Sequence, residues 1–263
     1  MSDNTGHQGL SGWAVLVTRP VDQAARLCEL IEQAGGRPVR FPVIEICTPH
    51  DENRADRFVS HLDDYDIAVF ISANAVRFAF NKISKTSSFP GRTLVAAIGL
   101  TTAKKLEDFG CHVDIVPQNN FNSEALLDVP EMRDVSGKKI IIFCGEGGRE
   151  YLADSLQKRG ADVSCAEVYR RVLPKADVAG LLHQWQNKGV NAVTVTSQEA
   201  LQNLSELLGD QGRDLLCKTP LVVISDRILD QVNEMGISAP VMAASEASDT
   251  GMLEALVSLR AIK

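Results

Sequence analysis

The sequence predicts an α/β protein built from two flavodoxin-like doubly wound parallel-sheet domains. Three observations carry that reading. The chain has 263 residues, enough for two domains of about 100–150 residues each. Short β-rich runs alternate with helix-patterned segments throughout. A set of landmarks also recurs at a nearly constant offset along the chain.

In the first half the strand-like runs are Ala14–Thr18, Arg40–Ile46, Ile67–Ser72, Leu94–Ile98 and Val113–Val116. Helical patterning lies between them. Asp22–Ala34 places Ala25, Leu27, Cys28, Leu30 and Ile31 on one face, the spacing of an amphipathic helix. Thr101–Phe109 is a short helix after Gly99, and Ser123–Leu127 is another with Ser123 as its candidate cap. The second half supplies strands at Lys139–Cys144, Ser164–Arg170, Ala192–Thr196, Leu221–Ile224 and Val241–Ala243. Strands separated by helices favour parallel pairing through right-handed crossovers.

The internal repeat is visible in the apolar strands and their turns. Val15 has its counterpart at Ile140, Gly35 at Gly160, Val43 at Val168 and Ser72 at Ser197, all 125 positions apart. The offset becomes 126 for Ile98 with Ile224 and Gly110 with Gly236. Such a period is too long for a solenoid and fits two units of similar size.

Bulk properties exclude several classes. The chain is 44% hydrophobic and 23% charged, within the globular range and outside the disordered one. No apolar run approaches the roughly 20 residues that span a bilayer. Met1–Gly12 is polar and lacks a basic region followed by an apolar stretch, so a tail is expected there and not a signal peptide. With a net charge of −7 and scattered Lys and Arg, nucleic acid is not the expected partner. The six cysteines form no C-x-x-C pair and the five histidines stand singly; buried free thiols in a reducing cytoplasm are expected, and no metal site.

Small polar residues concentrate where strands give way to helices: Thr18-Arg19, Ser72-Ala73-Asn74, Gly99-Leu100-Thr101-Thr102, Gly145-Glu146-Gly147-Gly148-Arg149, Thr196-Ser197-Gln198 and Ser225-Asp226-Arg227. Each could simply cap the following helix. In doubly wound sheets, however, ligands bind beyond the carboxyl ends of strands, and helix N-termini offer free N–H groups and positive dipole ends to anions. The glycines at 145 and 147 begin a dinucleotide fingerprint, but Glu150 occupies its third position, and no phosphate-binding P-loop is present. No nucleotide cofactor is expected. Nor is a hydrolase, since no G-x-S-x-G occurs.

Several segments resemble uroporphyrinogen-III synthases: VLVTRP at Val15–Pro20, FISANAV at Phe70–Val76, AAIGLTTAKKL at Ala96–Leu106, GGREYLADSLQKRGADV at Gly147–Val163 and EVYRR at Glu167–Arg171. The resemblance runs along nearly the whole chain after Gly12, and its order and spacing make it specific. It implies two α/β domains joined by a two-stranded linker with the active site in the cleft between them. One domain would combine Met1–Arg40 with Pro174–Lys263, and the other would span Phe41–Leu173. It further implies a cytoplasmic, monomeric, cofactor-free and metal-free lyase of heme and tetrapyrrole biosynthesis. Its substrate would be hydroxymethylbilane, a linear tetrapyrrole with eight carboxylates, supplied by a hydroxymethylbilane synthase. Dehydration, closure through a spiro intermediate and inversion of ring D would give uroporphyrinogen III.

On that resemblance Tyr169 is the expected proton donor to the departing hydroxyl. Arg19, Ser72, Ala73, Asn74, Gly99, Thr101, Thr102, Gly145, Arg149, Ser197, Gln198, Ser225 and Arg227 are the expected carboxylate holders. Asp226 sits awkwardly among them unless Arg227 offsets its charge. The competing expectation is a two-lobed small-anion binding protein without chemistry.

Overall fold

The computed structural model describes residues 9–86, 89–148 and 150–262. The chain divides into two compact units. One runs through Glu45 and resumes at Val172; the other is Ile46–Arg171. No described helix is long and apolar enough to cross a membrane.

The first unit contains β1 (Ala14–Val17), α1 (Val21–Gln33) and β2 (Arg37–Arg40). The second begins around β3 (Glu45–Cys47) and continues with α2 (Glu52–Val59), β4 (Ile67–Phe70), α3 (Ala73–Thr86), β5 (Leu94–Ala97) and α4 (Leu100–Asp108). It then adds α5 (Ser123–Asp128), α6 (Pro130–Arg133), β6 (Lys139–Gly145), α7 (Tyr151–Lys158) and β7 (Asp162–Val172). The chain returns to the first unit with α8 (Val178–Gln186), β8 (Ala192–Val195), α9 (Gln198–Lys218), β9 (Leu221–Val223), α10 (Asp226–Glu234), β10 (Val241–Ala243) and α11 (Asp249–Ala261).

The first sheet has the order β10-β9-β8-β1-β2, and each of these neighbours pairs in parallel. Numbered by chain order within the unit, this is 2-1-3-4-5 read from the other end, the flavodoxin order. Val15 and Val17 face a cluster that includes Leu27 and Ile31 of α1 and Met252 and Leu256 of α11. α9 packs on β8 and α8, and α10 on β9 and β10. Pro38 lies in β2, an edge strand, where its missing N–H costs no central ladder bond. Inside the sheet, the buried Thr18 hydroxyl donates to the Thr194 carbonyl (2.7 Å) and Thr194 donates to Leu16 (3.0 Å). Within α9, Gly209 takes a non-helical backbone (φ 55°) that kinks the helix.

The second sheet has the order β3-β7-β6-β4-β5, with β7-β6-β4-β5 paired in parallel. A further parallel bridge joins Ala96 to Ile115. With strands matched by the repeat offset, β6, β7, β4, β5 and the Ile115 bridge take the places of β1, β2, β8, β9 and β10. The two units thus share the order of these strands, the second entered at a different point of the chain and with β3 added outside β7. One face packs Phe70, Phe143, Ile141 and Val168 against α2, α3 and α4; the other packs Ile67, Val69, Ile140 and Ile142 against α5, α6 and α7.

Three local expectations are corrected. The run Arg40–Ile46 is not one strand: β2 ends at Arg40 and β3 starts at Glu45. The Phe41 and Val43 amides still bond to Val17 and Thr18 of the first sheet, so the apolar run is shared by two sheets. Val113–Val116 contributes the isolated Ile115 bridge and no longer ladder. The cap of α5 is Asn122, whose side-chain oxygen accepts from the Ala125 amide (2.8 Å) while its backbone stays extended; Ser123 is the first helical residue.

Phe70 and Phe143 stack at 4.6 Å in the centre of the second unit, both wholly buried. Phe143→Ala is expected to lower the stability of that unit by about 3–5 kcal/mol, read as an earlier transition in urea.

Candidate functional site

Parallel strands all end on one edge of their sheet, so each unit collects its own strand-to-helix turns. The first unit gathers the turns after β1, β8 and β9; the second gathers those after β4, β5 and β6.

The most structured group lies in the second unit. Tyr169 is 4% exposed. Its phenol stands 3.2 Å from the Ser72 hydroxyl, and either oxygen can donate. Ser72 also accepts from the Ala75 amide at 3.0 Å, which caps α3. The tyrosine ring lies directly over Gly145: a Cβ there would sit 2.6 Å from Cζ. The register slips between Cys144 and Gly145, where Gly145 pairs with Tyr169, and the Glu146 amide donates to the Tyr169 carbonyl (2.9 Å). This bulge lets Val168 and Tyr169 both join the same buried cluster against strand alternation. Phe78 borders the ring at 6.0 Å. The structure therefore brings Ser72, Gly145 and Tyr169 together.

Other expected residues have more specific placements. Gly99 is extended, and a Cβ there would collide with Phe121 Cβ at 2.7 Å, so packing accounts for this glycine. Thr101 is exposed, whereas Thr102 is buried on the inner side of α4. Ala73 and Asn74 open α3 and are half-buried. Arg149 lies outside the described residues.

In the first unit, the Arg19 guanidinium is ion-paired with Asp249 in the first turn of α11. Ser197 caps α9 by accepting from the Ala200 amide (3.0 Å). Ser225 occupies the equivalent position before α10 and makes no capping bond. A cavity of about 600 Å³ is lined by Ser197, Gln198, Ser225 and Arg227 among others. Arg227 lines it and Asp226 does not, but the carboxylate of Glu199 lines it too. Gln231 also lines the cavity, and its Oε1 is buried without a hydrogen-bond partner. Gln231 carried no signal in the sequence, being one helix turn beyond the polar stretch.

A second unforeseen contact fixes the turn after β6. Glu146 accepts from the His50 amide (2.5 Å) and from His50 Nδ1 (2.7 Å). The amide bond is the main cause that holds the Glu146 carboxyl below its ordinary value, with the imidazole contributing further. Arg170 donates to the Thr48 carbonyl (3.0 Å), tying the same segment to β7.

These features define a two-unit, doubly wound α/β protein whose polar turns gather at the strand ends of each sheet, with one tyrosine–serine pair built into the second. The comparisons make this specific. A family model described as "Uroporphyrinogen-III synthase HemD" matches residues 25–254. The uroporphyrinogen-III synthases of Salmonella typhimurium and Escherichia coli are each 32% identical to the chain over 92% of its length and 99% of theirs. The fold is similar to crystal structures of uroporphyrinogen III synthase from Thermus thermophilus (a triple mutant; TM-score 0.62, 18% identity, 96% of this chain and all of that one) and from Helicobacter pylori (0.63, 17%, 94% and all). The chain belongs to the uroporphyrinogen-III synthase family.

Two outcomes follow from the site geometry. Gly145→Ala is expected to displace the Tyr169 ring at a cost of about 1–3 kcal/mol, measured by urea unfolding and by altered tyrosine fluorescence. The lowered Glu146 value means its contribution is present above the ordinary carboxylate value of 4.5 and is lost as pH falls through the folded value. The stability gap between wild type and Glu146→Gln should therefore shrink on acidification through that range; an unchanging gap would remove the carboxylate from the account.

Proposed function

We propose that this chain converts hydroxymethylbilane to uroporphyrinogen III, removing the terminal hydroxyl and closing the ring with ring D inverted through a spiro intermediate. The observation that carries this is family membership across residues 25–254 together with relatives that match nearly end to end. The enzyme acts as a cytoplasmic monomer, with its substrate supplied by a hydroxymethylbilane synthase.

Left alone, the substrate closes to the symmetrical isomer, so the protein's task is chiefly orientation. Holding two reacting ends in one geometry contributes roughly 7–11 kcal/mol in favourable cases. Eight carboxylates provide the handles. The amides at the N-termini of α3, α4, α9 and α10 bind them, helped by Ser225, Gln198 and Arg227, whose side chains line or border open space. Arg19 keeps donors beyond those used by Asp249, because a guanidinium carries five. The unpartnered Gln231 Oε1 is an acceptor suited to a pyrrole N–H.

Loss of hydroxide requires a proton at the leaving oxygen. Tyr169 supplies it, directly or through a water, and Ser72 orients the phenol from 3.2 Å. The pyrroles themselves provide the electrons that expel the hydroxyl, and the residues named call for no cofactor.

Purified protein given hydroxymethylbilane should yield the type III isomer, resolved by chromatography after oxidation. Accumulation of only the symmetrical isomer would favour the reading of a two-lobed anion-binding protein. Tyr169→Phe should reduce turnover about 10²–10⁴-fold with a small change in KM; undiminished turnover would take Tyr169 out of the mechanism.

A further inference from the structure

Cys144 and Cys165 occupy neighbouring strands, β6 and β7. The register pairs Ile142 with Cys165 and Cys144 with Glu167. Alternation puts residues 142, 144 and 165 on one face, and both cysteines belong with Ile142, Leu152 and Leu156 to the cluster beneath α5, α6 and α7. The sulfurs are thus diagonal neighbours. Both cysteines line one cavity of about 460 Å³, together with Arg54, Glu150 and Glu167. The two thiols are close enough for each to shift the other's titration, and the Cys144 thiol donates to the Ala166 carbonyl (3.8 Å).

Their proximity differentiates the pair. The neighbouring Cys144 thiol lowers Cys165 to about 7, and the same proximity, with burial, raises Cys144. One sulfur is prepared to act as a thiolate while its partner holds the proton.

Diagonal spacing decides what the pair can hold. Strands about 4.8 Å apart and a two-residue rise of about 6.6 Å place the Cα atoms about 8 Å apart. Disulfides usually need 4.4–6.8 Å, roughly, so a direct bond would require the strands to shift. An ion inserted between the sulfurs, with two bonds of about 2.3 Å, spans the gap without that shift. Among the described residues no group of three or more His, Cys, Asp or Glu is placed to hold a metal, which disfavours a four-coordinate zinc site. Thiolate pairs select soft ions such as monovalent copper.

We infer that Cys144 and Cys165 form a two-thiolate site for a soft, low-coordinate cation, with monovalent copper as its representative. Binding forms two S–Cu bonds and releases one proton from each thiol; no electron is transferred. Arg54, in the same cavity, favours the single negative charge of the resulting bis-thiolate complex, while Glu150 and Glu167 oppose it. The cavity shares Gly145 with the edge that carries Tyr169, and the test of the site needs no turnover.

The reduced full-length protein, kept without oxygen, is titrated with Cu(I) against a colorimetric cuprous chelator. One equivalent should bind, with X-ray absorption showing two sulfur neighbours. Cys144→Ser and Cys165→Ser should each weaken binding by at least roughly 100-fold, while Cys217→Ser leaves it unchanged. Full binding by the Cys144→Ser/Cys165→Ser double variant overturns the assignment. So does absorption by wild type showing three or four sulfur neighbours, a measurement independent of how the variants fold. Rapid formation of a Cys144–Cys165 disulfide with hydrogen peroxide would show that the sulfurs meet directly, and would overturn the bridged geometry.

Discussion

The contact between the Tyr169 ring and Gly145 governs how the edge of the second sheet is built. A side chain of any size at position 145 would occupy the space of the phenol ring. The register slip at the end of β6 brings these two residues opposite each other, and the slip also frees the following residues to turn away from the strand. Tyr169 would otherwise alternate to the face opposite Val168; the bulge turns both inward. Ser72, on the next strand, can then reach the phenol while still capping α3. One backbone irregularity thus sets the ring, the hydroxyl pair and the start of the glycine-rich turn. Glu146, the first residue of that turn, is held by His50 from a segment 96 positions earlier, so the turn is anchored from two sides.

Much of the architecture was legible because it is written in local terms. Strand runs such as Ile67–Phe70 and Lys139–Gly145 are apolar on both faces, as buried parallel strands must be. The offset linking Val15 to Ile140 and Ser72 to Ser197 corresponds to equivalent places in two sheets that share the order of four strands, β2-β1-β8-β9 and β7-β6-β4-β5. The break between β2 and β3 was not legible, because the apolar run at Phe41–Ile46 satisfies strand patterning without saying which sheet receives it. The Asn122 cap was missed for a related reason: Asn122 and Ser123 are both good caps, and only the extended backbone of Asn122 separates them.

The site was legible as turns and not as contacts. Strand ends followed by Ser, Thr, Asn or Gly announce helix N-termini, and the structure places Ser72, Ser197 and Ser225 at such positions. What the sequence lacks is the third dimension. Thr101 and Thr102 look equivalent, yet the turn of α4 exposes one and buries the other. His50 and Glu146, or Cys144 and Cys165, become neighbours only through strand pairing and chain return. Each of those residues read alone is an ordinary surface charge or core thiol.

Charge poses the remaining physical question, since a protein with net charge −7 is assigned a ligand with eight carboxylates. Arginines alone do not answer it, because Arg19 already faces Asp249. That pairing has its own use. An isolated guanidinium would bind any passing anion, whereas one held by a carboxylate at the start of α11 is fixed in direction, and on the proposed function its remaining donors serve a ligand of the right shape. Backbone amides at helix N-termini complement it: they carry no formal charge, their directions are set by the helix, and desolvation strengthens their bonds to carboxylates. Reading many carboxylates through fixed dipoles rewards the arrangement of the anions and not their number. For a ring closure whose outcome depends on which carbon of the last pyrrole is presented, arrangement is the quantity that matters.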